Sequence, residues 1–180
     1  MNNSMLVLYE EHATIIKVID AAKNATLLLE KNPGEYENYI RRLIHFFRTY
    51  ADQYHHHKEE EILFPEMAKK NELLGGSILH EMLENHDDFR SMIREIENLL
   101  SKKEYGKAQA QLNIYTEALL NHIAAENEEV FPIAETLFND TELENLKFRF
   151  VDTDQGLGID LKTEMEDWTR QMDEHFHLRP

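Results

Sequence analysis

Apolar residues recur at three- and four-residue spacing along most of the chain, and this period marks helices. Ile15, Ile16, Ile19 and Ala22 define a first amphipathic segment. Ile40, Leu43, Ile44, Phe47 and Ala51 define a second. Met82, Leu83, Phe89, Ile93 and Ile96 define a third, and Leu112, Tyr115, Leu119 and Ile123 a fourth. The breaks fall between these segments. Asn32-Pro33-Gly34 parts the first from the second. Leu74-Gly75-Gly76-Ser77 opens the third, with Ser77 as a candidate cap. Lys102-Lys103 and Tyr105-Gly106 mark the turn before the fourth. No alternating pattern of strand length occurs. Short connections between long helices make sequence neighbours antiparallel, so the pattern predicts an all-α, up-down-up-down four-helix bundle.

After Phe138 the pattern changes. Asn139-Asp140-Thr141 with Glu144 reads as a capping box for a shorter helix to about Phe150. Gln155-Gly156-Leu157-Gly158 reads as a loop, and a last helix from about Asp160 to Phe176 carries Trp168. The expected organisation is a bundle over residues 1–138 and a short helical extension over 139–180. The extension is placed to dock on the bundle or to mediate a homodimer. His175 and His177, near the end of the chain, read as solvated.

Charge and composition narrow the chemistry. In 180 residues there are 19 Lys and Arg against 35 Asp and Glu, a formal net charge of −16. That balance disfavours nucleic acid and anionic membrane surfaces. No apolar run reaches the length of a membrane span, and Met1 to His12 lacks the basic start of a signal peptide, so the expected location is cytoplasmic. With no Cys, disulfides, thiolate nucleophiles, iron–sulfur clusters and Cys-type zinc sites are excluded. There are, however, 10 His. Metal chemistry here has to use imidazole and carboxylate.

An internal repeat supplies a pattern for it. His55-His56-His57-Lys58-Glu59-Glu60-Glu61-Ile62-Leu63-Phe64-Pro65 ends the second helix, and His122-Ile123-Ala124-Ala125-Glu126-Asn127-Glu128-Glu129-Val130-Phe131-Pro132 ends the fourth. Aligned on Phe-Pro, both read His-x-x-x-Glu-x-Glu-x-[Leu/Val]-Phe-Pro. Upstream, Glu10-x-His12 falls on Glu84-x-His86. Residues four apart share a helix face, so each His and Glu can reach a common metal, and a carboxylate can bridge two. In a bundle all four helices can aim such groups at the axis. Four imidazoles and two carboxylates suit iron, manganese or zinc, and a pair of irons in particular.

This repeat resembles the hemerythrin-like, or HHE cation-binding, family over about residues 5–138. The resemblance implies one iron on His12, His55 and Glu59 and another on His86, His122 and Glu126. Glu59 and Glu126 would bridge them together with an oxo or hydroxo group, and an open position would take O₂, NO or peroxide. Zinc or manganese are substitutes. The animal oxygen carriers of the wider family have a third His on one helix and an Asp at another spacing. Position 90, four after His86, is Arg here, so the likeness is to the bacterial and archaeal branch and an oxygen-carrier role does not transfer. Family members that repair iron centres carry an N-terminal Cys motif, which this chain lacks.

The remaining histidines and acids read as structural. The Phe-Pro alignment selects His55 over His56 and His57; His57 reads as a rim group and His56 as exposed. His80 lies about 240° around the helix from His86 and reads as a surface residue. His45 is about 80° off the face of His55. Asp52, one turn before His55, is a candidate acceptor for a ring N–H of a ligand histidine. Glu10, Glu11, Glu60, Glu61, Glu128 and Glu129 read as solvated, and Tyr9, Tyr54 and Tyr115 as packing. Phe64, Phe131, Leu63 and Val130 are placed to close one end of the bundle, with Pro65 and Pro132 kinking or ending their helices.

Three functions fit: a diiron module that binds O₂, NO or peroxide for sensing, storage or scavenging; a redox enzyme turning over peroxide or NO; and an iron-donating repair protein. Ferritin-like storage uses Glu-x-x-His twice, and here only Glu174-x-x-His177 matches. A purely structural bundle, or one with a lone zinc, would leave four His and two Glu buried at a large desolvation cost.

Overall fold

The computed structural model describes residues 5–177, with side chains placed for residues 5–172. His175 and His177 therefore fall outside the described side chains. Four long rods form the bundle. The first is α1 (Leu6–Lys23), which turns at Asn24 into α2 (Ala25–Lys31). The second begins with α3 (Pro33–Phe46), capped by the Asn32 side chain on the Glu35 N–H. It runs on through π-helical segments Phe47–His56 and Glu59–Leu63 into α4 (Phe64–Lys70). After the short α5 (Glu72–Gly75) come α6 (Ile78–Ser101) and α7 (Tyr105–Ala125). The latter continues through the π segment Glu126–Val130 into α8 (Phe131–Leu137). The link from α6 to α7 turns on Lys103, at φ 59°. No strand occurs among the described residues.

The core is split. One apolar cluster gathers Ile15, Ile19, Ile44, Ala51, Phe89, Ile93, Leu119 and their neighbours. The other gathers Met5, Leu8, Leu63, Phe64, Met82, Val130 and Phe131. Leu63, Phe64, Val130 and Phe131 thus do close one end. On every rod the expected ligand lies between the clusters: His12 between Leu8 and Ile15, His55 and Glu59 between Ala51 and Ile62, His86 between Met82 and Phe89, and His122 and Glu126 between Leu119 and Val130. A polar layer is sandwiched between two oily ones.

Two further helices, α9 (Asp140–Leu157) and α10 (Ile159–His177), pack on this bundle. Both are as long as α1. Leu143, Leu146 and Phe150 join the cluster at the Phe-Pro end; Met165 joins the other, flanked by Leu161, Trp168 and Met172. α9 runs past Phe150 because Leu143, Leu146, Phe150 and Asp154 keep one buried face at helical spacing. The break comes at Gly158 alone, at φ 110°, a conformation that favours glycine. Asn139 does form a capping box, but with Glu142 rather than Glu144. Ser77 does not cap α6; its hydroxyl donates back to the Leu73 carbonyl.

Neither proline ends its helix. A proline ring clashes with the carbonyl four residues back and offers no N–H. Here the turn ahead of each proline is widened: the Phe64 N–H donates to the Glu59 carbonyl, and the Phe131 N–H to the Glu126 carbonyl. Both are five-residue π bonds, and both begin on the repeated glutamate. π-bulges of this kind concentrate at functional sites.

Candidate metal centre

The repeat brings His12, His55, Glu59, His86, His122 and Glu126 into one place, each at most 3% exposed. Glu59 lies between two rods, with Oε1 3.4 Å from His55 Nε2 and Oε2 3.6 Å from His86 Nε2. Glu126 does the same from the opposite side. Its Oε2 is 3.2 Å from His12 Nε2 and its Oε1 is 3.2 Å from His122 Nε2. Each carboxylate therefore offers one oxygen to each half of the layer. His86 Nε2 and His122 Nε2 stand 3.1 Å apart.

Donor atoms close enough to share a cation fall into two sets, each with its atoms within 4.8 Å of one another. One is His12, His55, Glu59 and Glu126; the other is His56, Glu59, His86 and His122. Glu59 belongs to both. The second set includes His56, which the repeat alignment assigns to the surface. It is 2% exposed, and its ring stacks on His86 at 3.8 Å between centroids. The wide π turn over Phe47–His56 explains this. Successive residues rotate less than the 100° of an α-helix, so His55 and His56 both face inward and His57 is the one turned to solvent. Helix α9 and α10 on the outer side of this rod bury it almost all round.

Backbone-side support is arranged in pairs. Carboxylates hold two imidazoles by Nδ1: Glu11 on His55 at 2.9 Å and Glu60 on His86 at 2.8 Å. Amides hold the other two: Asn127 on His12 at 2.8 Å and Asn85 beside His122 at 3.5 Å. At His12, His55 and His86 the partner is an oxygen that accepts the Nδ1 proton, which leaves Nε2 free for a metal and fixes the ring. Two acids expected in solvent are thus structural parts of the site: Glu11 is buried and Glu60 half-buried. Asp52 does not reach His55. It takes Arg90 and lies 3.5 Å from His56. His45, His80 and His57 are exposed. Tyr9 packs edge-on against Phe131, and Tyr115 against Phe47 and Phe89.

A family model described as the hemerythrin HHE cation-binding domain matches residues 6–134. The chain belongs to this family. No curated protein matches it, and neither does any solved structure. Cation binding is thus a property of the family.

The hemerythrin-type layer of this chain fits a cation on physical grounds too. His12 Nε2, His55 Nε2 and all four oxygens of Glu59 and Glu126 are buried without a hydrogen-bond partner. An orphaned buried polar atom costs about 1–3 kcal/mol, more if charged. A cation removes that cost at a stroke. Electrostatics agree. Burial, then the neighbouring Glu126, push the Glu59 carboxyl well above its ordinary range. Burial also acts against Glu126, but His122 and His12 overcome it and hold that carboxyl low. Burial, then His12, lower His55 to about 4, and burial lowers His56 and His86 as well. Neutral imidazoles are the form that binds metal.

Proposed function

We propose that this layer holds a pair of iron ions, one among His12, His55, Glu59 and Glu126, the other among His56, His86, His122 and the same two carboxylates. There the protein binds O₂ or a related small molecule such as NO or peroxide, for sensing, storage or scavenging. The observation that carries the reading is that each buried, orphaned carboxylate has one oxygen toward each half of the layer. A donor set of nitrogen and oxygen without thiolate suits iron, with zinc or manganese as substitutes. When bound, such an iron pair supplies one- and two-electron redox change and a coordination position for a diatomic molecule.

The chain's own residues do the rest. With cations bound, Glu59 and Glu126 would each supply a carboxylate between the sites. Glu11, Glu60, Asn127 and Asn85 keep the rings oriented. Phe131 stacks on His12 at 5.2 Å and Phe64 on His86 at 6.1 Å, so water is kept from the Phe-Pro side. Access is from the side of the layer away from Phe-Pro. A cleft of about 300 Å³ is floored by His56 and Phe89 and rimmed by Arg48, Arg90 and Arg94. Its size admits a small molecule to the His56 half.

The test is NO titration of iron-loaded protein reduced without air. The parent is expected to develop new visible bands that His122→Ala loses. Unchanged binding in His122→Ala would overturn the reading.

A further inference from the structure

The two halves of the layer are built alike at first contact and differ beyond it. Each has one imidazole backed by an amide and one backed by a carboxylate. The two carboxylates are countered differently. Glu60 meets Arg90 at the surface, where Glu60 is 21% and Arg90 30% exposed. Glu11 sits in a buried charge cluster. Its Oε2 accepts from His55, and its Oε1 takes both Lys58 at 2.7 Å and Lys162 at 2.5 Å. Both lysines also bind Asp154, Lys162 at 2.5 Å. Glu11, Lys58, Asp154 and Lys162 are 2%, 0%, 4% and 7% exposed. Two carboxylates and two ammonium groups make a formally neutral, almost fully buried set, with Glu11 and Lys162 at the wall of a cavity of about 250 Å³.

Asp154 closes α9 and Lys162 opens α10. Both lie beyond residues 6–134, the part the family shares. The extension thus supplies Lys162 to the carboxylate that holds His55 and Asp154 to the two lysines beside it, and among the described residues supplies nothing equivalent to Glu60. A ring N–H donated to a carboxylate makes an imidazole a stronger donor, and how strongly Glu11 accepts depends on how far the lysines draw off its charge. In so buried a place a unit charge a few ångströms away acts strongly.

We propose that the C-terminal extension is a working part of the metal centre: through Lys162 and Asp154 acting on Glu11, it sets the donor strength of His55 and so makes the two metal positions unequal. Lys162 and Asp154 are positioning residues that touch no metal. The inference rests on the iron-pair reading above only for its redox consequence; the coupling to His55 stands without it.

The experiment compares Lys162→Met, Asp154→Asn and the double variant with the parent, all as full-length chains shown to be folded by circular dichroism. Lys162→Met leaves the cluster one charge negative. Glu11 then accepts more strongly, the His55 Nδ1 proton resonance moves downfield in metal-free protein, and the midpoint potential of iron-loaded protein falls. Asp154→Asn leaves it one charge positive and shifts both readouts the opposite way. The double variant returns toward the parent, and Lys162→Arg, which keeps the charge, stays near it. Shifts of the same sign in both single variants, or no shift in either readout, would overturn the proposal. If Lys162→Met does not fold, the sign of the Asp154→Asn shift decides alone. Should the protein take up no iron, the iron-pair reading falls while the proton resonance still decides the coupling.

Discussion

His56 and His57 are adjacent in sequence and opposite in situation. His56 is 2% exposed, stacked on His86 and within ligand reach of Glu59 and His122. His57 faces solvent. Replacing each by Ala separates the two. His56→Ala is expected to reduce the metal retained per chain and to leave the fold intact, whereas His57→Ala retains the parent's metal content; elemental analysis of dialysed protein reads both. Equal retention in the two variants would remove His56 from the site. The repeat makes His12, His55, Glu59, His86, His122 and Glu126 legible because a matched pair of motifs exceeds what a solvated helix face would produce. It has no counterpart for His56, since residue 123 at the matching position is Ile. Nor does periodicity reveal Glu11, whose burial depends on Lys58 from another rod and on Lys162 and Asp154 from the extension.

At the scale of elements, the π turns link a sequence feature to the position of a ligand. The residues Phe-Pro read as a kink or an end of the helix, and the structure shows the helix continuing, widened over the residues before them. Pro132→Ala restores an N–H and removes the ring from the carbonyl four residues back. The turn is then free to tighten to α geometry, which swings Glu126 relative to His122. The expected result is a higher melting temperature for metal-free protein together with roughly 10-fold weaker metal binding, the size of effect seen when groups supporting a ligand are altered. Tighter binding in the variant would contradict the role given to this turn. The helices themselves were plain in the sequence, from their spacing and from Asn32, Lys103 and Asn139 at their ends. The length of α9 was not, because Gly156 and Gly158 together read as a loop although only Gly158 takes a positive φ.

For the whole molecule, the layered core makes stability depend on pH and on metal. His55 is lowered from 6.5 to about 4 by burial and then by His12, and His56 and His86 are lowered too. The unfolded chain therefore binds protons below pH 6.5 that the folded chain refuses. For a group depressed in this way, stability is intact above the unfolded value and is lost as pH falls from 6.5 toward the folded one. Glu126, also depressed, acts in the same direction at lower pH. Glu59, which is raised, acts against them, but it is one group against several. Metal-free protein is thus expected to lose stability by a few kcal/mol between about pH 6.5 and 4, at 1.36 kcal/mol per unit for each fully depressed group. Urea titrations across that range check it, and a flat profile would contradict the burial of neutral imidazoles. Bound metal adds stability at neutral pH and is released in acid, because its ligands must shed protons to bind.

The paired iron site is tested by metal content together with the absorption spectrum, taken on protein produced with iron, in air and after anaerobic reduction. A paired iron site requires about two irons per chain, one for each donor set, and near-ultraviolet bands that bleach on reduction and return with air. One metal per chain, or colourless protein that Fe²⁺ does not reconstitute, would contradict a paired site and leave the buried His and Glu layer without the cations its orphaned oxygens call for.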